Sequence, residues 1–306
     1  MKILVTGSTG LIGSALVSSL TSSDHTVRRL LRPPRQAVGS DAVWDPAAGT
    51  LDQQALEGID AVVHLAGENI AGGRWTSRRK ARIRDSRVNG TRLLSETLSR
   101  LPRPPSVWVS ASAIGYYGNR GDTSLNEGSP AGSGFLSDVC RDWEAATKAA
   151  LQKGIRVVNL RIGIVLSPAG GALAKMLLPF KMGVGGKVGD GKQFMSWIAL
   201  DDIVGVIQHA LTNERLTGPV NAVSPNPVTN LQFTRTLGSV LRRPTIFPMP
   251  ALAARMAFGE MADELLLSST RVQPARLTGS GFQFRYPSLE SALRHLLHTD
   301  TARSAA

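Results

Sequence analysis

The sequence predicts an α/β fold, a doubly wound parallel sheet with a smaller α/β region toward its C-terminal end, and three observations carry that reading. Short apolar runs alternate with helical patterns over roughly the first 220 residues, the mark of repeated βαβ units. The run Ala61-Val-Val-His-Leu-Ala66 is apolar almost without a break, as a strand covered on both faces must be. A glycine-rich turn, Gly7-x-x-Gly10-x-x-Gly13, stands between the first apolar run and the first helical one.

Taken in order, Lys2 to Val5 reads as a strand, Leu11 to Ser22 as a helix and Thr26 to Leu31 as a second strand. The strand at Ala61 to Ala66 is followed by a helix from Ser86 to Leu101. Val107 to Ala111 and Val157 to Ile162 give two more strands, with a helix around Asp138 to Ala150 between them. Past residue 167 the composition changes. Glycines crowd the stretch from Gly170 to Gly191, which reads equally as a set of turns or as loops beside a ligand. A proline-spaced passage from Pro225 to Pro250 leads to a terminal amphipathic helix near Leu289 to Leu297. Residues 1–167 read as the first domain, with 197–225 returning to it, and 168–306 mainly as a cap that meets substrate.

A chain of 306 residues can bury a sizeable core, and 42% hydrophobic with 19% charged residues places it among globular proteins. No apolar run approaches the ~18 residues of a membrane-spanning helix. Met1 leads straight into a strand, which leaves no room for a secretory leader, and Cys140 is the single cysteine. Those two features point to the cytoplasm. The net charge of +12 raises the question of nucleic acid. The densest basic cluster, from Arg74 to Arg92, spreads its charges around a helix rather than along one stripe, with Trp75 its one aromatic residue. A solvated face explains that pattern better than a polyanion site.

The glycine turn carries the first functional signal. With strand, glycines, helix and second strand in that order, Gly7, Gly10 and Gly13 let the backbone approach a pyrophosphate at the helix N-terminus, beside Leu11 and Ile12. This is the dinucleotide cradle of a Rossmann domain. At the end of the second strand an NAD site places a carboxylate for the ribose 2′-hydroxyl. Here the corner runs from Leu31 through Arg32 to Arg35 with no carboxylate, and an arginine there suits the 2′-phosphate of NADP. Leu65, Ala66 and Gly67 end the third strand against the same ligand, and Arg87 on the following helix reaches for its phosphates or pairs with Asp85 or Glu96.

With these residues in hand, the sequence resembles the extended short-chain dehydrogenase/reductase superfamily, which includes nucleotide-sugar epimerases and dehydratases. Thr6-Gly-Ser-Thr-Gly-Leu-Ile-Gly13, Asp60-Ala-Val-Val-His-Leu-Ala-Gly67, Asn89-Gly-Thr91, Arg161 and Asp201-Asp202 carry the likeness. More narrowly, it is similar to an atypical subgroup of epimerase family proteins with a short C-terminal domain of unknown function. That likeness rests on Trp44-Asp-Pro46, Ala66-Gly-Glu-Asn-Ile70, Ser110-Ala-Ser-Ala-Ile-Gly-Tyr-Tyr-Gly118, Gly170-Gly-Ala-Leu173 and Ser196-Trp-Ile198. The resemblance implies NADP(H) chemistry on a small molecule, and a homodimer as a frequent assembly.

One departure matters. Redox-active members carry Tyr-x-x-x-Lys, a tyrosine acid/base whose pKa the lysine lowers. Anchored on Glu144, the corresponding positions here are Leu136 and Cys140, and neither can relay a proton as that pair does. No Tyr-x-x-x-Lys occurs elsewhere, because Tyr116, Tyr117 and Tyr286 are followed four residues on by Arg120, Gly121 and Glu290. Ser112 falls where the superfamily's catalytic serine would, and Tyr116 or Tyr117 on the next loop is the candidate substitute acid. His64 reads as a core histidine, Cys140 as a small buried residue, and Lys175 and Gln193 as solvated loop positions that could meet a polar substrate. Two function classes follow: an NADP(H)-dependent oxidoreductase or epimerase with a non-standard proton donor, or an NADP(H)-binding sensor that performs no chemistry.

Overall fold

In β1 (Lys2–Thr6) the side chains of Ile3 and Val5 enter one core and Leu4 the other, so alternation along a single strand feeds two layers. The computed structural model describes residues 1–34 and 37–303. After β1 come α1 (Leu11–Ser22), β2 (Thr26–Leu31), β3 (Ala42–Asp45), β4 (Thr50–Leu51), β5 (Ala61–His64), α2 (Ser77–Arg100) and β6 (Val107–Ala113). The chain continues through β7 (Ser124–Leu125), α3 (Phe135–Ala145), α4 (Lys148–Gln152), β8 (Arg156–Ile162), β9 (Ile164–Ser167) and α5 (Gly171–Lys181). Then follow β10 (Phe194–Met195), β11 (Trp197–Ala199), α6 (Leu200–Thr212), β12 (Gly218–Ala222), β13 (Val228–Thr229), α7 (Asn230–Leu241), α8 (Ala251–Phe258), β14 (Arg271–Val272), α9 (Ala275–Gly279) and α10 (Leu289–Arg303).

The main sheet runs β12-β8-β6-β5-β1-β2-β3-β4, parallel throughout except where β3 meets β4. The doubly wound sheet is therefore present. Its strand order reverses between β1 and β5, the switch point at which open α/β sheets bind their ligands. Leu16 and Leu20 of α1 with Ile203 and Ile207 of α6 cover one face; Leu94 and Leu98 of α2 with Ala150 of α4 cover the other. A separate core joins Leu173 and Leu177 of α5, Phe233 and Leu237 of α7 and Leu293 of α10 around Trp197. This is the smaller C-terminal layer, and β12 returns from its neighbourhood to pair with β8.

Four elements differ from the sequence reading. The glycine-crowded stretch read as turns or loops contains helix α5, Gly171–Lys181. Helix α2 starts at Ser77 rather than Ser86, with the Thr76 hydroxyl accepting from the Arg79 N–H as its cap. The helix beginning near Asp138 is two helices, broken at Ala146 and Thr147. The β3–β4 hairpin was not expected at all, and it buries Trp44.

Candidate functional site

The turn after β1 is built so that backbone meets backbone. Gly7 has φ +67°, and a Cβ there would lie 2.6 Å from the carbonyl carbon of Leu65. A Cβ on Gly13 would lie 2.1 Å from the Gly7 carbonyl oxygen, so only glycine lets the first turn of α1 close on β1. The Gly10 N–H donates to the Gly7 carbonyl at 3.0 Å and the Ser14 N–H to the Gly10 carbonyl at 2.9 Å, which leaves the Leu11 and Ile12 N–H groups without a partner among the described residues. Thr6 ties this turn to the end of β5: its Oγ1 accepts from the Leu65 N–H at 3.2 Å and the Ala66 N–H at 3.3 Å.

Behind it His64 is hydrogen-bonded to Thr6 Oγ1 at 2.7 Å and to Thr91 Oγ1 at 3.0 Å, and burial pushes its pKa down to about 3. It is a neutral core histidine that props the cradle. The Ser8 hydroxyl is buried beside the turn with no partner among the described residues.

At the end of β2, Leu31 is buried and Arg32 is exposed. Arg28 donates to the Ala55 carbonyl at 2.7 Å and Arg29 is paired with Asp41, whereas Arg32 has no partner among the described residues. Arg35 lies outside the described residues. A backbone cradle that any Cβ would fill, an unsatisfied buried hydroxyl and an uncommitted arginine at the next strand end fit a pyrophosphate with a further phosphate close by.

Gly67 follows β5, and a Cβ there would lie 3.3 Å from the guanidinium carbon of Arg87. Arg87 donates to the Ile83 and Glu68 carbonyls, both at 3.0 Å, and lies 5.1 Å from the Trp143 ring centre. Burial pushes its pKa below the ordinary arginine value. The alternative ion pairs are not formed, because Asp85 pairs with Arg84 and Glu96 with Arg100. Much of the basic cluster around it is neutralised in the same way: Arg82 by Glu68, Lys80 by Glu260 and Arg84 by Asp142.

The C-terminal ends of β6 and β8 make a different kind of centre. Ser112 donates to Glu144 Oε1 at 2.7 Å, and Arg161 grips both oxygens of that carboxylate at 2.8 and 2.9 Å. Burial works against the Arg161 charge, and the Glu144 carboxylate more than offsets it, so the pKa lies above the ordinary arginine value.

Tyr117 corrects the sequence reading. It is fully buried, its hydroxyl proton is shared between Asn221 Oδ1 at 2.7 Å and the Asn126 carbonyl at 3.0 Å, and it accepts from Arg161 at 3.1 Å. Burial raises its pKa. A hydroxyl so committed holds β12 to the loop and cannot meet a substrate. Tyr116 remains available: it is half-buried, its ring face lies 3.4 Å from the Arg161 guanidinium carbon, and its hydroxyl has no hydrogen-bond partner among the described residues.

Leu136 and Cys140 stand side by side on α3, where a Cβ on Gly115 would lie 3.1 Å from Leu136 Cβ and 3.8 Å from Cys140 Sγ. Burial, reinforced by Glu144, pushes the Cys140 thiol up to about 12, so it carries a proton it cannot release near neutrality. Gln193 is buried rather than solvated and donates to the Val188 and Leu266 carbonyls at 3.0 and 2.9 Å. Sequence reasoning missed the Glu144–Arg161 pair. The available signal was an arginine closing an otherwise apolar strand, which must have a buried counter-charge.

The model of the NAD dependent epimerase/dehydratase family matches residues 3–222, and a domain of unknown function, DUF1731, matches residues 249–296. The chain belongs to the NAD dependent epimerase/dehydratase family. An epimerase family protein of Mycobacterium bovis is 46% identical over 95% of this chain and 96% of its own length. Human epimerase family protein SDR39U1 is 36% identical over 97% of this chain and its full length. The crystal structure of that human protein with NADPH superposes with a TM-score of 0.88 at 34% identity, covering 97% of this chain and 99% of that one. The nucleoside-diphosphate sugar epimerase of Corynebacterium glutamicum gives 0.81 at 36% identity, covering all of this chain and 60% of the other. The family read from the motifs is thus the family found, in its atypical epimerase branch. No helix of the described residues is long and apolar enough to cross a membrane.

Proposed function

We propose that this epimerase/dehydratase-family chain binds NADP(H) and uses it in an oxidoreductase or epimerase reaction on a small molecule, with Tyr116 in place of the missing tyrosine-lysine pair. One observation carries the cofactor choice: at the end of β2, Arg32 is exposed and uncommitted while Arg28 and Arg29 are spent. A 2′-phosphate supplies the anion that this arginine lacks. That the human relative was crystallised with NADPH supports the reading.

In it, the N–H groups of Leu11 and Ile12, with the glycines, hold the pyrophosphate, and Leu31, Leu65, Ala66 and Gly67 wall the adenosine half. Arg87 fixes the Gly67 segment through the Glu68 carbonyl. The bound nicotinamide would supply hydride transfer. The proton is the protein's part. Tyr116 carries it on a hydroxyl with no hydrogen-bond partner among the described residues, and the Arg161 guanidinium stacked against its ring holds that ring in place. Glu144 keeps Arg161 charged and in place, while Ser112 spends its proton on Glu144 and acts by position.

The dinucleotide domain is 1–167 with 197–225, the rest of 168–306 is the cap, and the compartment is the reducing cytoplasm. A second reading, cofactor binding without chemistry, is favoured by one feature: the relay positions are filled by packed Leu136 and a neutral Cys140.

Parallel titrations with NADPH and NADH at constant salt, followed by nicotinamide fluorescence, test the proposal. NADPH binds at least about tenfold more tightly than NADH, as expected for one arginine–phosphate contact. Folded protein that binds neither dinucleotide would sink it. NADPH oxidation with a carbonyl panel, abolished in Tyr116→Phe, separates the enzyme from the sensor.

A further inference from the structure

Lys175 was expected in a solvated loop, and its place in the fold gives it more to do. It lies on α5, and the start of that helix rests on the cradle: a Cβ on Gly171 would lie 3.5 Å from Leu11 Cδ2, and one on Gly170 would lie 3.4 Å from Leu11 Cδ1. Lys175 stands one turn into that helix, and helical side chains lean toward the N-terminus, the end that packs on Leu11. Its ammonium donates to the Ala71 carbonyl at 2.7 Å, on the segment that begins at Gly67 and that Arg87 holds from the other side through the Glu68 carbonyl. The helix that starts against the first residue of α1 thus reaches, through Lys175, the segment after β5. It is exposed, a neutral carbonyl is its only partner among the described residues, and two of its three N–H donors remain free.

We infer that Lys175 is a pyrophosphate ligand contributed by the cap, closing the dinucleotide site from the side opposite α1. This rests on the NADP(H) reading above. The Ala71 bond orients the ammonium, and the cofactor phosphates supply the counter-charge; one ligand then engages the first turn of α1, the segment after β5 and α5 of the cap together. Because the pyrophosphate is common to both dinucleotides, Lys175 adds affinity without choosing between them, and Arg32 does the choosing.

Calorimetric titrations of the full-length chain with NADPH, NADH and adenosine 2′-monophosphate, which has no pyrophosphate, distinguish these roles. Lys175→Gln weakens NADPH and NADH alike by about tenfold, the loss of one charge-assisted hydrogen bond. Its affinity for adenosine 2′-monophosphate stays within twofold of the wild type's (~0.4 kcal/mol), and Lys175→Arg restores most of the dinucleotide affinity. Three results overturn the inference: unchanged binding of both dinucleotides, weakening of NADPH alone, or equal weakening of adenosine 2′-monophosphate. Wild-type protein that binds no dinucleotide would fell the NADP(H) reading itself and this inference with it, a result visible before any variant is compared.

Discussion

The two ends of the sheet's C-terminal edge handle charge in opposite ways. At the β1–β2 end several polar groups have no partner among the described residues: Arg32, the Ser8 hydroxyl and the N–H groups that begin α1. At the β6–β8 end Ser112, Arg161 and Tyr117 are tied to Glu144, Asn221 or each other, although deeper in the same strands the Ser110 hydroxyl and the Asn159 amide oxygen are buried without a partner among the described residues. Groups that a fold leaves uncompensated mark where a ligand completes it; groups compensated internally mark structure, whatever their residue types suggest. That is why the first end is proposed as the cofactor site, while the strand tips of the second form a paired network with the Tyr116 hydroxyl unpartnered at its rim among the described residues.

If the comparison is right, substitutions at the two ends separate binding from stability. Gly13→Ala has the largest effect, because its methyl would meet the Gly7 carbonyl at 2.1 Å. NADPH affinity falls by more than about 100-fold, and the melting temperature falls with it. Glu144→Gln acts on the other end. It leaves Arg161 buried without its counter-charge, and urea unfolding shows a loss of about 3–5 kcal/mol, while NADPH affinity measured below the unfolding transition changes less than about threefold. Arg32→Ala does the reverse: NADPH binding weakens by about 10- to 100-fold, NADH binding and the melting temperature of the free protein hold, and a fall in both affinities would break the distinction.

The last effect is absent at neutral pH and concerns the support beneath the cradle. His64 is neutral in the folded protein, with a pKa near 3 against an ordinary 6.5, so its contribution is intact above pH 6.5 and is lost as the pH falls toward 3. Unfolding free energy drops by up to about 1.4 kcal/mol per pH unit across that window. His64→Gln removes this slope.

The open end was the legible one. Gly7, Gly10 and Gly13 are required by close backbone approach, and that requirement shows in sequence as glycine between a strand and a helix. The closed end was not legible, because pairing is a property of three-dimensional contact. Nothing local to Tyr116 or Tyr117 shows that one hydroxyl reaches Asn221 while its neighbour's stays free. The start of α2 was hidden by its own charge, since Ile83 is the only large apolar side chain in its first two turns and the run of basic residues masks the 3.6-residue period. The β3–β4 hairpin was hidden because strands this short carry too few alternations to register. Fold class depends on long apolar runs and survived both omissions.

The most direct test of this account is the crystal structure of the chain grown with NADPH. The account predicts the pyrophosphate on the N–H groups that begin α1, the 2′-phosphate within hydrogen-bond reach of Arg32, and the Ser112–Glu144–Arg161 network unmoved. A 2′-phosphate turned away from Arg32, or an Arg161 that has left Glu144 to take a phosphate, would contradict it.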